Sequence, residues 1–143
     1  MVKVSRIIYL VSAWLFLVGV TVLVFLAGMV VVALQMSWKY HITLGFFLGA
    51  PLLVMLVSQY PGRFPRQIKG LTWVLFGVYV FQAFVTVYLR AQAPLVSAFH
   101  PVLALVDFTL GLALARAALS LVRQYQVPSH VQSGLDVAIQ PES

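Results

Sequence analysis

The chain has no cysteine and only three acidic residues, and just one of those, Asp107, lies in the apolar part of the sequence. Without cysteine there are no disulfides, thiolate metal sites or thiol nucleophiles, which leaves histidine as the good nitrogen ligand for a metal. With so few carboxylates, acid-pair hydrolysis has nothing to work with. Catalytic triads and phosphate-binding loops are also missing from the sequence, so no catalytic residue is assigned. Charge in general is scarce: 8% of residues are charged, 62% are hydrophobic and the mean hydropathy is +1.02. A soluble domain carries about 25% charged residues. An aqueous core does not account for this composition. The net charge of +6 is spread over basic residues at the ends of apolar runs, not gathered in a patch, which argues against nucleic acid as a partner.

Four apolar runs are present, at about 7–34, 41–60, 71–89 and 98–122. Each is close to the 20 or so helical residues that cross a hydrocarbon layer, and none has the short alternation of a membrane β-barrel. The predicted fold class is all-α: a polytopic membrane protein with a four-transmembrane-helix antiparallel bundle over residues 1–123. Residues 124–143, polar and without a sustained period, are expected to form a disordered cytoplasmic tail that includes a solvated His130. The opening MVKVSR resembles the start of a signal peptide in charge. The apolar run after it is too long for one and ends in no cleavage site, so an uncleaved first helix is expected.

Details along the chain refine this picture. Thr21, Gly28 and Gln35 recur at seven-residue intervals, with Ala27 beside Gly28, predicting a face where another helix comes close. Trp38 and Tyr40 suit a membrane interface at the first turn. In the second run Gly45 and Gly49 form a GxxxG spacing, and Pro51 removes a hydrogen bond to Phe47, predicting a kink there. Thr72, Tyr79, Gln82 and Thr86 draw a polar stripe down the third run. Pro94 or Pro101 fits the first turn of the fourth. Lys3, Arg6, Arg63, Arg66, Lys69, Arg116 and Arg123 fall on one side of the bundle, against Lys39 and Arg90 on the other. That asymmetry places both termini in the cytoplasm, in the inner (cell) membrane of a bacterium or archaeon. Arg116, near the inner end of its run, is expected to snorkel.

The most informative stretch is FHPVLALVDFTLG, residues 99–111, in which His100, Ala104, Asp107 and Gly111 share one helical face. A carboxylate near the bilayer centre costs about 3 kcal/mol, so Asp107 is expected to face inward and be paired. Gln82 lies at a comparable depth and is the natural partner. The pair either bonds internally or carries a proton or grips a polar headgroup such as a quinone carbonyl. His41 and His100 both open helices that run inward from the outer side, on diagonal positions of the bundle. Two imidazoles facing each other across such an interior are what a low-spin haem b requires. Gly45 and Ala104, one turn deeper, would leave room for the porphyrin edges, with Phe46, Phe47, Phe99 and Phe108 as candidate walls. The bland alternative is that each histidine bonds water, headgroups or a loop carbonyl at the interface.

The layout of Ala27-Gly28, His41 with Gly45, and His100-Pro101 resembles that of small uncharacterised four-helix bacterial membrane proteins. The placement of His41 and His100 also resembles one half of haem A synthase, where histidines at the outer ends of alternate helices bind haem. That family carries a glutamate three residues before the first such histidine, where this chain has Trp38. The resemblance therefore implies haem binding without the synthase's oxidation chemistry. Two functional classes follow: a cofactor-binding electron-transfer protein, or a structural or assembly subunit of a larger membrane complex. The subunit would show a small face at Gly19 or Gly77 to other membrane subunits. Enzyme and transporter readings rank below both.

Overall fold

The computed structural model describes residues 1–34, 36–84, 88, 91–92 and 94–124. Among them there is no strand, and the helices are α1 (Val2–Val31), α2 (Trp38–Phe47), α3 (Gly49–Ser58), α4 (Arg66–Phe84), α5 (Pro94–Ser97) and α6 (His100–Gln124). Three stretches are long and apolar enough to cross a membrane: α1, α2 with α3, and α5 with α6. Their outward faces carry Trp14, Leu15, Val18, Phe25, Leu53, Val57, Leu105 and similar side chains in the open, the reverse of a soluble surface. The chain is thus an all-helical protein of membrane character.

α1 begins five residues before the apolar run, because nothing in Val2 to Arg6 breaks a helix and Arg6 finds partners inside the molecule. The helix ends where Val32 N–H bonds the Gly28 carbonyl at 2.8 Å and Leu34 takes a left-handed φ of 53°, which turns the chain back. Ser37 caps α2, its hydroxyl accepting from Lys39 N–H at 3.3 Å, so Trp38 and Tyr40 are helical and not part of the turn. α2 and α3 are one rod broken at Leu48. Pro51 cannot donate to the Phe47 carbonyl, and the helix yields at that point. Phe64 N–H bonds the Gln59 carbonyl at 3.2 Å in the tight turn after α3, and the Phe64 ring lies over Gly62, where a β-carbon would sit 2.7 Å from it. α4 follows at once after Pro65, so the basic segment from Arg66 on is helical rather than loop.

The rods alternate in direction. Arg6 reaches the Leu121 carbonyl and Phe16 lies against Gly111, so α1 and α6 are antiparallel; Tyr9 with Thr72 and Phe16 with Tyr79 show α1 and α4 running together. α1 packs beside α6 and α3, and α4 beside the same two, which leaves the rod of α2 and α3 diagonal to α6. The buried core consists of Tyr9, Ala13, Phe16, Leu17 and Val20 of α1 with Leu52 and Met55, Phe64, Leu75, and Leu114, Ala115 and Ala118. Most of it lies towards the end of the rods that carries Lys3, Arg6 and the Gly62 turn, with Val20 near mid-bundle at the edge of the less packed end. Beyond it the packing opens: no residue is buried in α1 after Val20, in α2, in the described part of α4 after Leu75, or in α6 before Asp107.

Two packing expectations are corrected. Gly28 faces open space, with nothing within 4 Å of where a β-carbon would lie, and Thr21 is exposed with its hydroxyl bonded back to the Leu17 carbonyl at 3.0 Å. The close approach to α1 is at Gly19, where a side chain would run into Leu48; Gly19 is buried and shows no face to a partner. Gln35, Thr86, Arg90, His130 and the tail beyond Gln124 lie outside the described residues.

Candidate functional site

His41 and His100 meet at the open end of the bundle, across the diagonal. Their ring centroids are 6.1 Å apart and the ring planes cross at 67°. His41 stands in the first turn of α2, capped by Ser37, and its Nδ1 is 3.0 Å from the Leu23 carbonyl of α1. A carbonyl only accepts, so Nδ1 donates its proton in this bond. Trp38 packs against the same ring nearly at a right angle, centroids 5.5 Å apart. His100 opens α6 and is half-buried, with Pro101 beside it in the first turn, where a missing N–H is harmless.

The two imidazoles are shared walls of two spaces. On the side of α1 and α6 lies a cleft of about 610 Å³ lined by Leu23, Ala27, Leu48, Ala104, Leu105 and Phe108. On the side of α2 and α4 is a smaller one of about 80 Å³, lined by Ile42, Gly45, Phe46, Tyr79 and Ala83. Gln82 borders both. The larger falls within the range of roughly 300–1,000 Å³ of small-molecule sites and is almost wholly apolar. The small residues picked out beside the histidines are therefore placed in different spaces, Ala104 in the large and Gly45 in the small. No atom lies within 4 Å of a methyl group added at Gly45. Of the four candidate wall phenylalanines, Phe46 and Phe108 line these spaces. Phe47 and Phe99 line neither space, and Phe46, though it borders the smaller one, is 62% exposed.

Beneath the histidines, Gln82 Nε2 donates to Asp107 Oδ2, which closes the bundle between α4 and α6. Asp107 is fully buried, and its other oxygen, Oδ1, has no hydrogen-bond partner among the described residues. Tyr79 donates to the Gly45 carbonyl at 2.7 Å, and Gly49 gives its hydroxyl room, at 3.2 Å from where a β-carbon would lie. That carbonyl has lost part of its helical bonding near the break at Leu48, which is why a side chain from α4 can satisfy it. Thr72 is further down, in the packed end, where it bonds Tyr9 at 2.6 Å. The polar stripe of the third run thus serves three separate tasks.

Two contributors to the site were not singled out from the sequence: the Leu23 carbonyl, which a sequence cannot flag, and Tyr79, which stood in the stripe with no partner assigned. The other donors are few. Among the described residues no three His, Cys, Asp or Glu side chains gather as a metal site, so a metal here would have to bring other ligands of its own, as a porphyrin does. The residues available to such a group are one imidazole bonded through Nδ1 to the Leu23 carbonyl, a second whose centroid is 6.1 Å away, and apolar spaces of unequal size on the two flanks.

No curated protein and no solved structure matches the chain. One family model matches residues 24–87, less than half of the sequence, a stretch that holds His41, Gly45, Tyr79 and Gln82 but not His100, Ala104 or Asp107. Over that stretch the chain is similar to DUF6220, a family of unknown function.

Proposed function

We propose that this small membrane protein holds haem b between His41 and His100 and passes single electrons through it. The observation that carries the reading is the His41 ring, whose Nδ1–H is anchored on the Leu23 carbonyl while its centroid stands 6.1 Å from that of His100. Metal-bound histidines nearly always donate their other ring N–H to such an acceptor, which fixes tautomer and orientation. Bound haem supplies reversible one-electron chemistry. The chain's own residues orient the ligands, exclude water with Leu23, Leu48, Leu105 and Phe108, and place the buried Asp107 roughly 10 Å below His100 at 1.5 Å rise per residue.

The test is an absorption spectrum of the purified protein, oxidised and reduced, after haem is supplied. A low-spin spectrum lost in both His41→Ala and His100→Ala supports the reading. A protein that stays colourless, or one that keeps the spectrum without either histidine, defeats it. Asp107→Asn should keep the haem and shift only its potential, since the group lies in the surroundings of the ligands and not among them.

The same reading takes α4 as a fourth membrane crossing, between α3 and α6, with both termini in the cytoplasm. The basic residues at the packed end support it. Reporter fusions after Ser143 and within residues 91–97 distinguish four crossings from three, because three would put the C-terminus outside.

A structural or assembly subunit is the second reading, favoured by Gly70 and Gly77 of α4. They are seven residues apart, both exposed, with nothing within 4 Å of either. A subunit should bring a partner through purification in mild detergent; a haem protein should be coloured alone.

A further inference from the structure

On the outward face of α6, at the packed end, is a cleft of about 400 Å³ lined by Arg116, Leu119, Ser120, Arg123 and Gln124. Arg116, Ser120 and Arg123 are spaced four and three residues apart and exposed, while Leu114, Ala115, Ala118 and Val122 are buried against the rest of the bundle. This face is therefore turned to lipid. The register of α1 against α6, set by Arg6 with Leu121 and Phe16 with Gly111, puts Arg116 level with Val11. At 1.5 Å per residue it is roughly 7 Å deeper than Leu121. A guanidinium on an apolar face at that depth needs an anion within reach of its side chain.

The described part of the protein does not supply one. Its carboxylate, Asp107, is buried on α6 more than two turns away and bonded to Gln82. Helical side chains lean towards the N-terminus of their helix, so Arg123 covers the patch around Ser120, whereas Arg116 borders the same cleft only by turning against that lean. Both cations thus converge on one spot. Ser120 gives its hydroxyl proton to the Ala117 carbonyl at 2.8 Å, so the cations, not the serine, would bind there. We infer that the Arg116–Arg123 face binds the phosphate of an anionic phospholipid whose acyl chains run up beside Leu119 along α6. The membrane setting of Arg116 favours this occupant over the acidic residues Asp136 and Glu142 of the tail.

The experiment is native mass spectrometry of the full chain in mild detergent, titrated with phosphatidylglycerol, with phosphatidylcholine of the same acyl chains, and with inorganic phosphate. Phosphatidylglycerol should be retained in preference to phosphatidylcholine, and inorganic phosphate should not compete at equal concentration. At about 1 kcal/mol per arginine near an anionic surface, Arg116→Gln with Arg123→Gln should weaken phosphatidylglycerol retention about 30-fold. The control pair Arg66→Gln with Lys69→Gln removes the same charge from α4 at the same end and should leave retention within about two-fold. Unchanged helical circular dichroism shows that the α6 pair still folds. Equal retention of both lipids, competition by inorganic phosphate, or an equal loss in the control pair overturns the inference. So does phosphatidylglycerol binding that appears only after Asp136→Asn with Glu142→Gln, which would make the tail the occupant.

Discussion

The two ends of this bundle are built from similar residues and packed in opposite ways. At the basic end, Gly19 receives Leu48 and Gly111 receives Phe16 and Leu17; Ala13, Ala115 and Ala118 are buried beside them. Polar groups there are tied across elements: Arg6 donates to the Gly62 carbonyl at 2.9 Å and the Leu121 carbonyl at 3.2 Å, and Tyr9 bonds Thr72. At the opposite end Gly28 and Gly45 face open space, and α2 buries no residue. A small residue lets helices approach only if the facing helix offers a large one at the same level. The helix is interrupted at Leu48, and His41 and His100 meet at the less packed end beyond that interruption.

Substitutions can break or sharpen this contrast. The largest effect is expected from Phe16→Ala, which should cost about 3–5 kcal/mol, because the fully buried ring leaves a cavity in the tight end. Leu105→Ala, at 65% exposure in the open end, should stay within about 0.5 kcal/mol. Unfolding in mild detergent measures both, and equal losses would mean that the two ends are packed alike. Next comes Gly19→Ala, where the added methyl group meets Leu48 and overpacking should cost about 1–3 kcal/mol.

Tyr9→Phe tests the polar ties. Thr72 Oγ1 gives its own proton to the Ile68 carbonyl at 2.8 Å, so Tyr9 is the donor of the pair. Its removal leaves a buried acceptor unpaired and should lower the unfolding free energy by about 1 kcal/mol. The smallest effect is Gly28→Ala, which adds a methyl group in open space and gains helix propensity. A stabilisation of about 0.5 kcal/mol is expected in the same unfolding assay, and a loss would show that another helix does press on Gly28.

The hydrophobic runs make the helices legible, since each is long enough to satisfy its backbone internally and too apolar for water. Pro51 marks the helix break for a local reason, the hydrogen bond that it cannot make. The pairing of Gln82 with Asp107 is also readable, because a lone carboxyl in an apolar segment has to find a donor. Gly19 and Gly28 look alike in the sequence, and nothing local separates the one under Leu48 from the one facing space. The same holds for the phenylalanines: Phe46 and Phe47 are neighbours and both largely exposed, yet only the first borders a space beside the histidines.

By itself, then, the sequence determined the all-helical class, the membrane character, the interruption of the second run near Pro51 and the short list of polar residues that needed partners, because those follow from hydropathy, helix length and the hydrogen-bonding capacity of single side chains. Only the tertiary structure decided that His41 is anchored on the Leu23 carbonyl, that its ring stands 6.1 Å from that of His100, and that Ala104 and Gly45 open different spaces beside them. Those depend on how far one rod is shifted and rotated against another, and that is set by the complementarity of facing side chains, such as Leu48 over Gly19 and Phe16 over Gly111, at positions far apart in the chain.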